Sequence, residues 1–307
     1  MKDMYNDYVI DIFSIGKRID KYVSELYSDI SRTYIQQLIQ EHHILVNSKG
    51  IKPNYKLTLN DKVSVHIPKV VEPDIVAENI ALDILYEDED IIVVNKPKQM
   101  VVHPAKGHYT GTLVNALMYH CKDNLSGING ISRPGIVHRI DCDTTGALVV
   151  CKNDFAHNHI AEQLKAHSIT RKYIAIVHNV IKEDYGTVNA TIGRHPINRL
   201  KMEANVTNGK EAVTHYRVLD RYKNFTYIEC TLETGRTHQI RVHMSSIGYP
   251  LLGDVVYGPS HCPYKLVGQT LHARVLGFVH PRTNQYMEFE APIPEYFLHL
   301  LKILPRN

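Results

Sequence analysis

The sequence predicts an α+β protein made of two domains. Its 307 residues are enough for about two domains of typical size. Short amphipathic helices dominate the first 70 residues, whereas strand patterns dominate from Asp83 onward. The composition, with 44% hydrophobic and 22% charged residues, is that of an ordinary globular protein. We therefore expect a small α+β module followed by a larger domain with a mixed, mainly antiparallel sheet.

The first domain is expected to begin with two helices. Ile19, Val23 and Leu26 follow helical spacing, which predicts an amphipathic helix from Lys17 to Leu26. After a turn at residues 28–31, Ser31 is a suitable N-cap for a second helix from Arg32 to Glu41. Two short strands, Ile44 to Asn47 and Val63 to Ile67, should complete the module. We place a short extension at residues 1–16, the module at 17–70, a linker at 71–82 that contains Pro73, and the second domain at 83–307.

In the second domain, the clearest strand is Phe225 to Glu233. Ile228, Cys230 and Leu232 alternate with polar residues there, as in a half-buried antiparallel strand. Further predicted elements are strands at Ile91–Asn95 and Ala147–Cys151 and helices at Thr110–His120, Asp154–His167 and Thr237–Ile247, the last closed by Gly248.

The cysteines, the N-terminal residues and the length of the apolar runs indicate in which cellular compartment the protein is expected. Five cysteines form no C-x-x-C pair, and an odd number argues against a full disulfide framework. The N-terminus has acidic residues and no long apolar core, so a secretory signal is not expected. No apolar run approaches the roughly 18 to 20 residues of a membrane span. We expect a cytoplasmic protein in a reducing environment, monomeric by default and without a membrane partner.

Positive charge is concentrated in the first domain. Residues 17–69 carry a net charge of +4, compared with +3 for the whole chain. A small net charge does not identify a nucleic-acid partner, so its distribution is the informative quantity.

The candidate reactive residue is Asp141, in the stretch Gly135–Gly146 between apolar, strand-like residues. Arg139 and Asp141 lie on one face if this backbone is extended, because side chains then alternate. Charged loops at sheet edges are common positions for functional residues. A surface salt bridge in a strand-turn-strand is the alternative.

This stretch resembles a family signature. His138-Arg139-Ile140-Asp141 followed by Asp143-Thr144-Thr145-Gly146 is similar to the His-Arg-Leu-Asp-x-x-Thr-Ser-Gly motif of the RluA/RluD family of pseudouridine synthases. Three further stretches match the family in the same order, namely Asn95–Pro104, Arg171–Tyr173 and Thr234–His243. The resemblance implies the pseudouridine synthase fold and an RNA isomerase that needs neither a cofactor nor a metal.

The first domain resembles the S4 RNA-binding domain through the pattern from Arg18-Ile19-Asp20 to Asn60–Val65. Family members usually have Gly at the position of His43 and Gly-Asp at Asn60-Asp61. The resemblance implies that four basic residues share a face and meet phosphates, namely Lys17, Arg18, Lys21 and Arg32. A packing module with merely solvated charges is the alternative.

The resemblance also assigns roles to site residues. Asp141 would be the essential carboxylate, and Arg236 would pair with it and favour its charged form. Tyr173 would lie against the flipped uracil and help to remove the C5 proton, while Arg139 would enter the space that the base leaves. RNA contacts are expected for Lys96, His103 and Arg241, with a structural role as the alternative for the first two.

Other chemistries are less well supported. The pairs His238/His243 and His157/His159 lack the further ligands of a metal site. Cys142 should point away from Asp141 on an extended backbone, which disfavours a thiol nucleophile.

Three functions follow. The first is an RNA pseudouridine synthase acting on structured RNA, with large-subunit (23S) ribosomal RNA as the expected substrate and transfer RNA as the alternative. The second is an RNA-binding or ribosome-assembly protein with an inactive synthase fold. The third is a glycoside or nucleoside hydrolase, which would need a second carboxylate that the motifs do not offer.

Overall fold

The computed structural model describes residues 3–27, 30–68, 75–105, 107–122, 124–128, 133–198 and 201–306. The chain divides into two compact units, Met1–Glu72 and Pro73–Asn307. The predicted turn at Ser28 and the linker residue Pro73 lie outside the described residues. None of the described helices is long and apolar enough to cross a membrane.

The first unit is an antiparallel sheet, in the order β1-β4-β2-β3, with two helices packed on it. Its elements are β1 (Met4–Val9), α1 (Ile19–Leu26), α2 (Arg32–Gln40), β2 (Ile44–Val46), β3 (Lys49–Gly50) and β4 (Lys62–Ile67). The predicted N-cap is confirmed, because Ser31 Oγ accepts a hydrogen bond from the Tyr34 N–H at 3.3 Å.

Strand β1 was not predicted, and residues 1–16 were expected to lie outside the module. Only Met4 and Tyr8 of this strand are half-buried, so its apolar alternation is weak. The strand forms because it pairs with β4 along its whole length, from Met4 opposite Ile67 to Val9 opposite Lys62.

The second unit is built around a mixed, mainly antiparallel sheet, as predicted. Its strand order is β5-β6-β7-β14-β8-β13-β12-β9, with β15 paired to β14 and a separate hairpin of β10 and β11. The elements are β5 (Ile84–Glu87), β6 (Ile91–Lys96), α3 (Leu113–Cys121), β7 (Thr145–Cys151), α4 (Asp154–Lys165), β8 (Thr170–His178), β9 (Tyr185–Asn189), β10 (Ile192–Arg194), β11 (Met202–Ala204), β12 (Val213–Arg221), β13 (Phe225–Leu232), α5 (Gln239–Ser246), β14 (Leu271–Val279), β15 (Tyr286–Glu290) and α6 (Glu295–Ile303).

Strand β7 is buried along its whole length because helices cover both faces of the sheet. Leu148 and Val150 join the core that contains α3 and α5, whereas Val149 and Cys151 join the core beneath α4. The strand runs antiparallel to β6 and parallel to β14. The loop that enters β7 therefore leads into an interior strand of the sheet.

The strongest apolar patterns predicted their elements well. Ile228, Cys230 and Leu232 of β13 are buried as the alternation indicated. Helix α5 begins at Gln239, two residues later than expected, and is followed by Gly248 with φ of 87°. Residues 75–82 form neither helix nor strand, but Ile75 is buried in the core of the second unit.

Candidate active site

Asp141 lies in the loop that leads into β7. The loop closes as a turn in which the Thr144 N–H donates to the Asp141 carbonyl at 3.0 Å. Asp141 lines a cavity together with Tyr173 of β8 and Arg241 of α5. Tyr173 is opposite Ala273 on β14, and the neighbouring His272 is opposite Thr145 at the start of β7. The centre of the sheet thus brings the carboxylate and the aromatic ring to one cavity.

Lys96 binds the backbone of the loop that contains Asp141. Its buried ammonium donates to the carbonyls of Pro97 at 2.7 Å, Met100 at 2.8 Å and Cys142 at 2.9 Å. Burial lowers the pKa of Lys96 to about 8, an effect opposed by nearby acidic groups. All three N–H donors are engaged within the protein. These contacts favour the structural alternative for Lys96, and its RNA contact stays a prediction.

Arg241 is the cation that pairs with Asp141. Its Nη1 donates to Asp141 Oδ2 at 2.9 Å, while Nε and Nη2 bind both oxygens of the buried Asp254 at 2.7 and 2.9 Å. Burial alone would lower the pKa of Arg241, but hydrogen bonds and charge from Asp254 and Asp141 raise it above its usual range. Asp254 therefore fixes the guanidinium, and the guanidinium fixes one oxygen of Asp141.

This arrangement corrects the predicted pairing of Asp141. The expected partner, Arg236, instead donates from Nε to the Glu211 carbonyl at 2.9 Å. It precedes α5, whereas Arg241 lies within the helix and reaches the loop. Arg241 itself is buried and bound to two carboxylates, and its RNA contact stays a prediction. Arg236 still lines the cavity.

Tyr173 forms an apolar wall of the cavity and is only 8% exposed. Burial raises the pKa of its phenol; Arg171 opposes this effect, and Asp141 adds to it. The phenol is therefore neutral near pH 7. A neutral ring suits packing against a flat base, and the help of Tyr173 in removing the C5 proton stays a prediction.

Arg139 and His103 lie at a wider opening that also reaches Asp141. Arg139 is exposed and donates from Nη2 to Thr237 Oγ1 at 3.1 Å. His103 is buried, and among the described residues its Nδ1 has no hydrogen-bond partner. Burial lowers the pKa of His103 to about 4, with help from Arg133 and Arg139, so the ring is neutral.

The basic residues of the first unit fall into two groups. Arg18 donates to both oxygens of the fully buried Asp20, and Arg32 and Gln36 bind the same carboxylate. Burial alone would raise the pKa of Asp20, but these hydrogen bonds lower it. The two guanidinium groups are thereby held side by side with about half of each side chain exposed. Lys17 pairs with Glu25 at 3.0 Å, and Lys21 is exposed.

Two groupings in the described residues have spacing suited to a metal, and neither includes a cavity residue. They are Glu87 with His120 and Cys121, and Asp88 with Asp90 and His280. Arg282 binds both oxygens of Asp90, and Lys152 binds Glu87. Of the histidine pairs considered from sequence, His243 has both ring nitrogens in contact with Thr214 and Ala190.

Sequence reasoning missed Asp254, His238 and Tyr257 as neighbours of Asp141. Asp254 follows an apolar pair in a loop and is 13 residues beyond its partner Arg241. A signal did exist at Arg241, because it lies between the apolar residues Ile240 and Val242 on a short helix. A charged residue buried in such a place requires an acidic partner.

Known proteins share both parts of this chain. The family model described as RNA pseudouridylate synthase matches residues 90–246, and the S4 domain model matches residues 17–63. The chain is 54% identical over 292 residues to an uncharacterized RNA pseudouridine synthase, YlyB, of Bacillus subtilis, covering 95% of each chain. It is 46% identical over 303 residues to the ribosomal large subunit pseudouridine synthase D of Zymomonas mobilis, covering 94% of each.

Solved structures agree on the fold. Human RNA pseudouridylate synthase domain containing 4 superposes with a TM-score of 0.57 at 26% identity, covering 71% of this chain and 91% of that one. Human RNA pseudouridylate synthase domain containing 1 gives the same TM-score at 24% identity, covering 75% and 98%. The match over half of the chain and the close relatives lead to one conclusion: this chain belongs to the RluA/RluD family of RNA pseudouridine synthases and carries an N-terminal S4 domain.

Proposed function

We propose that this protein converts uridines of large-subunit ribosomal RNA to pseudouridine, with Asp141 as the catalytic carboxylate. The observation that carries the proposal is the position of Asp141, which shares one cavity with Tyr173 and is held by the buried Arg241. The ribosomal substrate is taken from relatives that are named large-subunit enzymes and match along most of this chain.

The reaction is an isomerisation, so it needs no redox partner and no energy input. The bond between uracil N1 and ribose C1′ breaks, the base turns, and C5 bonds to C1′. The proton on C5 leaves, and N1 gains a proton. The enzyme must therefore labilise a glycosidic bond while it retains the detached base.

Asp141 can serve either as a nucleophile at C1′ or as a base at the sugar. Arg241 holds Oδ2 at 2.9 Å and leaves Oδ1 without a hydrogen bond among the described residues. Because Asp254 binds the opposite edge of the same guanidinium, the protein's own side chains set this orientation. Such preorganisation avoids reorganisation cost at the moment of reaction.

The remaining cavity residues would hold the base and the RNA. Tyr173 offers a neutral ring against which uracil can pack. Arg139 is exposed at the opening, where it can fill the space that a flipped base leaves in the stack. Unstacking a base costs a few kcal/mol, and less in a loop than in a helix. Arg236 and His103 would contact the RNA from the cavity rim.

The proposed RNA-binding module is residues 17–70, joined through residues 71–82 to the catalytic domain at 83–307. Its net positive charge and the Arg18–Asp20–Arg32 cluster support contacts to phosphates. Lys17 and Lys21 would add further contacts from the same segment.

Replacing Asp141 with asparagine tests the catalytic assignment. The change keeps the volume and removes the charge, so we expect loss of isomerisation by at least a thousandfold while RNA binding is retained. Tritium release from an RNA labelled with [5-³H]uridine measures the reaction, because C5 loses its hydrogen. Asp184→Asn is a matched control, since Asp184 is exposed and pairs with Arg221 on the surface. Substantial activity in the Asp141 variant would contradict the proposed catalytic role.

The substrate is tested by mapping pseudouridines across ribosomal and transfer RNA in cells with and without the gene. Loss of specific signals in large-subunit ribosomal RNA is expected. Loss confined to transfer RNA would overturn the ribosomal assignment and leave the activity intact. Release of free uracil by the purified protein would indicate a hydrolase instead.

A further inference from the structure

His238 faces the oxygen of Asp141 that Arg241 leaves open. It immediately precedes α5 in the left-handed backbone region, with φ of 57° and ψ of 21°. Its Nε2 lies 3.9 Å from Asp141 Oδ1, whereas Arg241 binds Oδ2. The two oxygens of one carboxylate are thus approached by two different side chains of the same helical segment.

Tyr257 determines which nitrogen of His238 carries the proton. The Tyr257 hydroxyl accepts a hydrogen bond from the Met202 N–H at 2.8 Å and lies 2.8 Å from His238 Nδ1. Since its oxygen is already an acceptor, its own proton is best used toward Nδ1. With the other tautomer, the Tyr257 hydroxyl would have no acceptor among the residues that the structure describes, and a nitrogen lone pair of His238 would point at a carboxylate. We therefore expect a neutral His238 to carry its proton on Nε2, toward Asp141.

We propose that Tyr257 and His238 are positioning residues that present a neutral N–H donor to Asp141 Oδ1 during the isomerisation. The proposal rests on the catalytic role of Asp141 proposed above. At 3.9 Å the two atoms are too far apart for a hydrogen bond in this structure. Catalytic hydrogen bonds are often long without substrate and tighten in the reacting complex.

The effect of this donor is to fix the plane of the carboxylate. With only Oδ2 bound, Asp141 can turn about its side-chain bond, and Oδ1 loses its alignment with the sugar. A second donor on Oδ1 removes that freedom. A displacement of about 1 Å at a reacting group can cost roughly 100-fold in rate.

The surroundings keep His238 neutral. Burial lowers its pKa, Asp141 and Asp254 raise it, and Arg241 and Arg139 lower it, with a net downward shift. Tyr257 is itself held in place, because its backbone N–H donates to the buried Asp254 at 3.1 Å. Asp254 therefore anchors both the Arg241 side and the Tyr257 side of the carboxylate.

The proton position can be measured without RNA. In protein labelled with ¹⁵N-histidine, the signal of His238 is assigned by its absence in His238→Gln. We expect wild-type His238 to be protonated on Nε2 at pH 7.5 and Tyr257→Phe to move the population toward Nδ1. A wild-type signal showing the proton on Nδ1 would overturn the proposal.

Kinetics test the consequence on an unmodified large-subunit ribosomal RNA transcript carrying [5-³H]uridine. We expect Tyr257→Phe to lower the single-turnover rate at saturating RNA at least tenfold with an unchanged Kd. His238→Gln should retain more activity than His238→Ala, because a glutamine N–H can replace the Nε2 donor. Tyr185→Phe is the matched control, since Tyr185 is 79% exposed.

The outcomes separate this inference from the proposed function. A wild-type rate in Tyr257→Phe, or equal rates in His238→Gln and His238→Ala, would overturn the positioning role even if Asp141→Asn is inactive. Full activity in Asp141→Asn would instead remove the proposed function on which the inference rests.

Discussion

One guanidinium, that of Arg241, organises the candidate site at the level of single residues. It is 5% exposed and binds two carboxylates, of which Asp254 is buried and Asp141 opens to the cavity. A planar group with donors on both edges can do this, whereas a lysine ammonium is a single point charge. The motif alone did not distinguish Arg241 from Arg236, because both lie in the same ten-residue stretch.

Conservative lysine substitutions at these two arginines test which one supports Asp141. Arg241→Lys keeps the charge but cannot hold both carboxylates, so we expect a loss of at least 100-fold in the single-turnover rate. Because the buried Asp254 loses its bidentate partner, the free energy of unfolding should also fall by about 3 kcal/mol. Arg236→Lys, the matched control, should change the rate by less than about tenfold. A larger rate loss in Arg236→Lys would restore the original assignment.

At the level of elements, the entry into β7 depends on a single glycine. Gly146 has φ of 112° and lies opposite Lys96 on β6 and Ala273 on β14. A Cβ atom at this position would lie 2.2 Å from the Ala273 carbonyl oxygen. The close approach lets the parallel pair of β7 and β14 form directly beside Asp141. Periodicity predicted the strand from Ala147, but it carries no information about a contact with a strand more than 100 residues away.

We expect Gly146→Ala to destabilise the second unit by about 3 kcal/mol, because the added methyl meets backbone that cannot move aside and the φ value disfavours a side chain. Chemical denaturation followed by circular dichroism measures the change. Gly127→Ala provides the control, since a Cβ there meets nothing within 4 Å. Equal denaturation midpoints for the two variants would contradict the steric argument.

For the whole molecule, the sequence predicted those elements that have a clear local pattern, and its ordered motifs predicted the family. Helix α2 with its Ser31 cap, strand β13 and the mixed sheet were confirmed, and the motifs identified the family. Strand β1, the β10–β11 hairpin and the sheet strands β8, β12 and β14 were not predicted, because strands such as β1 owe their order to pairing with distant residues. The partners of Asp141 were misassigned or missed for a related reason: Asp254 meets Arg241 through the tertiary fold, which no spacing encodes.

The division of the chain into two units predicts that the first contributes to RNA affinity and that the second carries out the chemical step. Each unit has its own hydrophobic core, so residues 75–307 should fold alone. The fragment lacks residues 17–69, which hold a net charge of +4, although the acidic residues on either side bring residues 1–74 as a whole to zero. The expected loss of affinity therefore rests on the local cluster of Arg18, Arg32 and the neighbouring lysines, and the cavity residues all lie in the second unit. We expect the truncated protein to bind the RNA at least tenfold more weakly at low salt, with a single-turnover rate at saturation within about threefold of the full chain. Thermal unfolding by circular dichroism would verify that the fragment is folded.

The salt dependence of RNA affinity distinguishes the loss of phosphate contacts from the loss of contacts that recognise the shape of the RNA. The affinity of the full chain should fall steeply between about 50 and 200 mM salt, and that of the fragment less steeply, because each lost phosphate contact reduces the log–log slope by roughly 0.7 to 0.9. Lys17→Gln with Lys21→Gln in the full chain should give an intermediate slope, since Arg18 and Arg32 remain on Asp20. Lys165→Gln with Lys302→Gln, two changes in the second unit, matches the loss of charge and should leave the slope unchanged. Identical slopes for the full chain and the fragment would show that the first unit does not hold the RNA through its phosphates.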